Sequence, residues 1–193
     1  AKARQYNERQ LHGIDQKEWC FEAELEGDWT ERDDQLPAPR SLRLKKDAQV
    51  MFVKNGEEWV NGTVGRVVDL NDESIEVELL SEPHKGRTVG VKRESWDRYQ
   101  YQWNEERRTI DIRTIGTYRQ FPFILAWAAT IHKAQGLTLD DVNIDLGRGT
   151  FAPGQAYVAL SRCRTMDGIS FSRPLEIEDV LCDQRIVDFY SRV

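Results

Sequence analysis

The side chains best suited to chemistry sit in two stretches, "ATIHKAQGLTLD" (Ala129–Asp140) and "GQAYVALSRCRT" (Gly154–Thr165). The first sets His132, Lys133 and Gln135 beside Gly136, at what reads as the end of an apolar helix. A histidine donates to a phosphate, a lysine supplies a point charge, and a glutamine offers both a donor and an acceptor. The same residues also suit an ordinary polar helix end, where the helix dipole favours a lysine. The second stretch closes with Ser161, Arg162 and Arg164. An arginine on a rigid helix reaches a phosphoryl group with a planar fork that stabilises developing charge. It is equally well read as a plain surface arginine.

These residues need elements to hold them. Residues 2–16 have helical composition without proline. Pro37 and Pro39 then break the chain, and "AQVMFVKN" reads as a buried strand closed by Asn-Gly. From Trp59 to about Tyr118, short β-branched or aromatic runs alternate with Gly, Asn and Asp turns, the spacing of a small antiparallel barrel. After Pro122 the pattern predicts a helix over Phe123–Gln135 capped by Gly136, with Leu125, Ala128, Ala129 and Ile131 buried. A strand ("DDVNIDL") follows, then a helix ("APGQAYVALSRCR") with Tyr157, Val158 and Leu160 facing the core. Another strand ("GISFS") and a closing helix ("DQRIVDFYSRV") complete the chain. Alternating strand and helix implies a parallel sheet with covering helices. The expected architecture is therefore α/β: one body from residues 1–55 and 122–193, interrupted by a barrel at 56–121. Trp96, Tyr99, Tyr101 and Trp103 either fill that barrel or stack on bases.

Composition narrows the class. Of 193 residues, 39% are hydrophobic and 31% charged, with six Trp, six Tyr and seven Phe, which is the profile of a folded domain. No apolar run approaches the roughly 20 residues that span a bilayer. Three widely spaced cysteines form neither a zinc pattern nor a disulfide framework, so a reducing cytoplasm is the expected setting. The net charge of −6 argues weakly against nucleic-acid binding. The acid is concentrated in "FEAELEGDWTERDD" and "DLNDESIEVELLSE", however. Between Arg107 and Arg119 stand four arginines, Arg107, Arg108, Arg113 and Arg119, with one acid, Asp111. That cluster is either a local basic surface or solvated charge. There is no G-x-x-x-x-G-K-[ST], no G-x-S-x-G, no H-E-x-x-H and no dinucleotide glycine pattern.

"ILAWAATIHKAQGLTLDDVNIDLG" followed by "FAPGQAYVALSRCRTMDGI" resembles motifs V and VI of superfamily-1 DNA helicases, within the Pif/RecD-type branch that moves five-prime to three-prime. "LPAPRSLRLKKDAQVMFVKN" and "VNGTVGRVV" are similar to the entry into that branch's inserted SH3-like barrel, "QFPFILAWA" to its exit, and "ARQYNERQL" to the helix after motif IV. The resemblance covers nearly the whole chain and is weakest over residues 71–118.

The resemblance implies a RecA-like domain of the P-loop NTPase type (the UvrD-like C-terminal helicase domain) with an SH3-like insert. It implies Arg162 as the arginine finger on the γ-phosphate of ATP. Gln135 and Gly136 would lie near the nucleotide, and Thr130, His132 and Lys133 near the single-strand backbone. ATP and Mg²⁺ would serve the full-length protein, with single-stranded DNA or a fork as the substrate. The Walker motifs and a first RecA-like domain are missing from the sequence, so the chain alone is expected to be inactive, a C-terminal fragment of a DNA-associated, bacterial-type cytoplasmic protein. Rival readings are a non-catalytic nucleic-acid-binding module of the same fold and a peptide-binding interaction domain.

Overall fold

The computed structural model describes residues 2–29 and 36–191, in two compact units, Ala1–Ala128 and Ala129–Val193. Residues 30–34 of the first acidic stretch, and the last two of the predicted closing helix, lie outside the described residues.

In the first unit, α1 (Lys2–Gly13) buries Asn7 and Leu11 and stops at a glycine, which weakens a helix. Just beyond it, the buried Lys45 Nζ donates to the Ile14 carbonyl at 2.8 Å, placing a cation at the helix end. β1 (Trp19–Glu22) pairs antiparallel with β3 (Ser41–Leu44). β2 (Glu24–Gly27) lies beside β9 (Thr109–Gln120), which pairs along its length with β8 (Glu94–Asn104). The third sheet has the order β10 (Phe123–Leu125), β4 (Gln49–Phe52), β5 (Val64–Leu70), β6 (Ile75–Leu79) and β7 (Thr88–Val91). Period-two patterning drives these strands. In "IEVEL", Ile75, Val77 and Leu79 are fully buried while the glutamates alternate outward. Turn chemistry closes the hairpins: Asn71 Oδ1 accepts from the Glu73 and Ser74 amides at 3.0 and 2.8 Å. Where β2 meets β9, a Cβ on Gly116 would sit 2.7 Å from the Asp28 carbonyl, so only glycine permits the approach.

Two expectations change here. The strands form no closed barrel among the described residues: a five-stranded sheet with free edges at β10 and β7 stands beside a separate three-stranded one. The strand at 49–52, expected in the parallel body, is instead antiparallel to both β5 and β10. The predicted helix over Phe123–Gln135 is also absent. Its first residues form β10, because β4 offers Phe52, Met51 and Val50 as partners, and the rings of Phe52 and Phe123 meet edge-on at 4.9 Å. Pro122 biases its predecessor toward extended backbone, which favours this outcome.

The second unit is thinner. β11 (Val142–Ile144) and β12 (Ile169–Phe171) run parallel, extended by a parallel bridge between Leu139 and Cys163. α2 (Gln155–Leu160) and α3 (Gln184–Tyr190) match the two helices expected there, although shorter. Buried apolar residues in this unit are Leu137, Ile144, Ala156 and Ala159. Tyr157, expected in the core, is 73% exposed, because the small Ala156 and Ala159 take the inward face of α2.

Two buried amides pin the first unit. Asn7 Nδ2 donates to the Leu125 and Ala128 carbonyls at 3.0 and 2.8 Å, and its Oδ1 accepts from the Ala128 amide at 2.7 Å. Gln120, fully buried, donates to the Phe21 carbonyl at 2.8 Å and accepts from the Phe121 amide at 2.9 Å and Arg93 Nη1 at 3.2 Å. Gln120→Leu removes these partners while keeping the volume, stranding the Phe121 amide. The expected loss is about 2–3 kcal/mol, read as a lower urea midpoint.

Candidate functional site

His132, Lys133, Gln135 and Gly136 share one exposed turn, residues 131–136, with Thr130 leading into it, rather than a helix end. The turn is helical in character: the Ala134 amide donates to the Thr130 carbonyl at 3.0 Å, and the Leu137 amide to the Ala134 carbonyl at 3.1 Å. The Lys133 amide also donates to Thr130 Oγ1 at 3.3 Å. Gly136 carries φ +80°, a left-handed conformation that glycine favours, but the helix it was expected to cap does not form. Leu125, Ala128 and Ile131 are half-buried and Ala129 is exposed, so the burial expected of this run is only partial. Leu137, immediately after the turn, is its buried anchor.

Arg162 follows α2 and lies against this turn. Its Nη1 donates to the Leu137 carbonyl at 3.4 Å, its Nε to the Val158 carbonyl at 3.1 Å and its Nη2 to Ser161 Oγ at 2.9 Å. The backbone repeats the junction, since the Leu139 amide donates to the Arg162 carbonyl at 2.8 Å and the Arg164 amide to the Leu139 carbonyl at 2.9 Å. The two stretches singled out by residue type are thus physically adjacent. The Arg164 side chain turns away to Asp140, with Nε 3.4 Å from Oδ1. The sequence placed Ser161 beside Arg162 at the helix end without pointing to a role for it, because a serine there has no distinctive spacing.

The loop that leads into α2 has its own clamp. Arg173 grips the buried Asp179 with Nη1 and Nη2 at 2.7 and 2.6 Å and donates Nε to the Gly147 carbonyl at 3.0 Å. Thr150 Oγ1 donates to the Asp179 carbonyl at 2.8 Å. The Arg173 hydrogen bonds, then the Glu176 amide, lower the Asp179 carboxyl to about 2.

The aromatics expected to fill a barrel do not. Trp96 is half-buried, edge-on to Tyr118 with 6.1 Å between ring centroids and with Lys54 Nζ 5.2 Å over its ring. Tyr99, Tyr101 and Trp103 are 47%, 66% and 58% exposed along the β8–β9 hairpin. Ile112 and Ile110 sit across from Tyr101 and Trp103, making one apolar face. Arg107, Arg108 and Arg113 are exposed near its tip.

No family model matches the chain. It is similar to the ATP-dependent DNA helicase Pif1 of Bdellovibrio bacteriovorus, 36% identical over 197 residues, covering 98% of this chain and 41% of that protein. The Bacteroides Pif1 structure in complex with ADP-AlF4 superposes with a TM-score of 0.85 at 33% identity, over 99% of this chain and 42% of that one. Bacteroides Pif1 bound to single-stranded DNA superposes at 0.73 and 33% identity, over 99% of this chain and 43% of that one. The chain therefore spans about two fifths of the length of the relatives it matches.

The carboxylate clamp fixes a sign. Asp179 is depressed in the folded state, so its stabilisation is complete above the ordinary carboxylate value near 3.9 and fades as pH falls toward 2. Melting followed between about pH 4.5 and 2.5 is expected to fall less steeply in D179N, whose Tm at pH 7 starts several degrees below wild type.

Proposed function

Because this chain is a homologue of the Pif1-type superfamily-1 helicases over nearly its whole length, we propose that it supplies the C-terminal motor half of an ATP-dependent DNA helicase moving five-prime to three-prime. The observation that carries this reading is the junction at Leu137, where the Arg162 guanidinium meets the end of the Thr130–Gly136 turn. Arg162 acts as the arginine finger toward the γ-phosphate. Gln135 and Gly136 lie on the nucleotide side of the turn, while Thr130, His132 and Lys133 grip the single-strand backbone.

The donor set supports this assignment. His132, Lys133, Gln135 and Arg162 all offer N–H groups suited to phosphate oxygens, from nucleotide or DNA alike. A magnesium ion in the whole protein would neutralise phosphate charge during transfer. Among the described residues there is no cluster of three or more His, Cys, Asp or Glu side chains that could hold a metal. The second unit's small core and its exposed Phe151, Ile177, Phe189 and Tyr190 fit a domain completed by further chain, including a first RecA-like domain across the nucleotide. Residues 56–121 are assigned to an SH3-like insert in a RecA-like body of residues 1–55 and 122–193, with β4 and β10 at the two boundaries joining the insert's sheet rather than the parallel one. The insert's hairpin offers Tyr101 and Trp103 as stacking platforms for bases.

The mechanism follows from these positions. ATP draws the two RecA-like domains together, Arg162 stabilises charge on the transferring phosphoryl group, and the turn that meets it shifts its hold on the strand. Binding energy is used where charge develops, so the arginine acts on turnover rather than on ground-state DNA affinity.

In the full-length protein, R162A is expected to lower the kcat of DNA-stimulated ATP hydrolysis by about 10³-fold or more, with nucleotide-free single-strand affinity unchanged. Turnover close to wild type would remove the finger assignment. K133A is expected to flatten the slope of log K against log salt for single-stranded DNA by about 0.7, the share of one phosphate contact. An unchanged slope would take Lys133 out of the grip.

A further inference from the structure

The Arg162 side chain is not extended toward a ligand; it is folded onto the carbonyl end of its own helix. The last turn of α2 explains why. The Arg162 amide bonds to the Ala159 carbonyl at 3.3 Å, three residues back, which leaves the Val158 carbonyl without that backbone donor. Two side chains serve Val158 instead: Arg162 Nε at 3.1 Å and Ser161 Oγ at 3.1 Å. The Ser161 hydroxyl gives its proton to Val158, so its lone pairs face the guanidinium, and Arg162 Nη2 donates to it at 2.9 Å. The result is a closed ring of three hydrogen bonds, with Nη1 reaching the Leu137 carbonyl at 3.4 Å from outside it. Three of the five guanidinium donors are occupied before any ligand arrives.

We propose that Ser161 is a positioning residue that parks Arg162, and that a phosphoryl oxygen captures the guanidinium only by drawing it off Ser161 and off the Leu137 carbonyl. This rests on the assignment of Arg162 as the finger. The N–H groups that serve Val158, Ser161 and Leu137 cannot also serve a phosphate, and because the fork is planar and rigid the other two N–H groups move only with them. Capture therefore selects the unparked state, and apparent affinity is scaled by its population. Release has a second effect. Leu137 loses an acceptor contact at the residue whose amide also holds the Thr130–Gly136 turn through Ala134. One side-chain movement thus changes the hydrogen bonding of the turn that is proposed to touch DNA.

Two measurements test this separately. In the isotope-labelled 193-residue chain, solvent exchange of the Arg162 Nε–H is read by NMR. It is expected to be slow in wild type and S161T, and about tenfold faster in S161A, where the ring is open. In the full-length protein with single-stranded DNA, S161A is expected to lower KM for ATP about threefold with little change in kcat, and S161T to restore the wild-type KM. Fast Nε–H exchange in wild type, or a KM that S161A leaves unchanged or raises, overturns the parking. If exchange behaves as expected but turnover survives R162A, the finger assignment fails while the parked geometry stands.

Discussion

A glutamine amide cut off from water carries two donors and an acceptor that only the surrounding chain can satisfy. Gln120 is in that position, and its partners come from separate parts of the sequence: Phe21 in β1, Pro39 and Arg40 ahead of β3, Arg93 ahead of β8, and its own neighbour Phe121. Those bonds can all be made in one arrangement, so they fix where β9 stops. The chain then has a defined exit through Phe121, Pro122 and Phe123 into β10. β10 adds to β4, and the Ala126 amide extends the pairing to the Gln49 carbonyl. Asn7 then holds Leu125 and Ala128. Hydrophobic packing alone tolerates repacking and slippage; two buried amides with full partner sets do not.

The same dependence explains which elements could be read from sequence. The alternation in "IEVEL" and the Asn turns are local, and they specify β6 and its hairpins without outside help. α2 and α3 are similarly local. "FILAWAA" is different, since its alanines favour a helix and its larger residues suit either form. The deciding partner, β4, lies some seventy residues earlier, and no window on the sequence contains both. Barrel closure failed for a related reason. Short strands with turns between them specify hairpins, but whether the sheet edges meet depends on pairing between strands far apart in sequence. Here β4 takes β10 and β5, leaving β7 as a free edge.

The candidate site divides in the same way. The types and order of His132, Lys133, Gln135 and Arg162 are sequence properties, and the resemblance implied only that Gln135 and Arg162 both face a nucleotide. What sequence does not carry is the direction of the Arg162 side chain. That direction depends on a single carbonyl, Val158, which the last turn of α2 leaves to side chains, and on a neighbouring hydroxyl able to bridge. It also depends on the parallel bridge between Leu139 and Cys163, which brings Leu137 within reach. Tyr101 and Trp103 were open to two readings by type, barrel filling or base stacking, and the long hairpin removes the first by leaving them in solvent.

The turn from Thr130 to Gly136 is lightly held, and a relay element needs that property. None of its own residues is buried, its anchor Leu137 lies just beyond it, and few backbone bonds maintain it. Segments with so little buried contact rearrange at low free-energy cost. The junction to Arg162 is stiffer, because two backbone hydrogen bonds and a side-chain bond converge on Leu137 and Leu139. In the proposed relay, a stiff junction feeding a soft turn would convert a small displacement at the arginine into a change of contact at His132 and Lys133. Were the turn a continuous helix packed into the core, moving the arginine would require moving the core with it, and close-packed interiors resist such small shifts. Replacing the expected helix by a strand and an exposed turn therefore leaves this segment free to shift without moving the core, as the proposed relay requires.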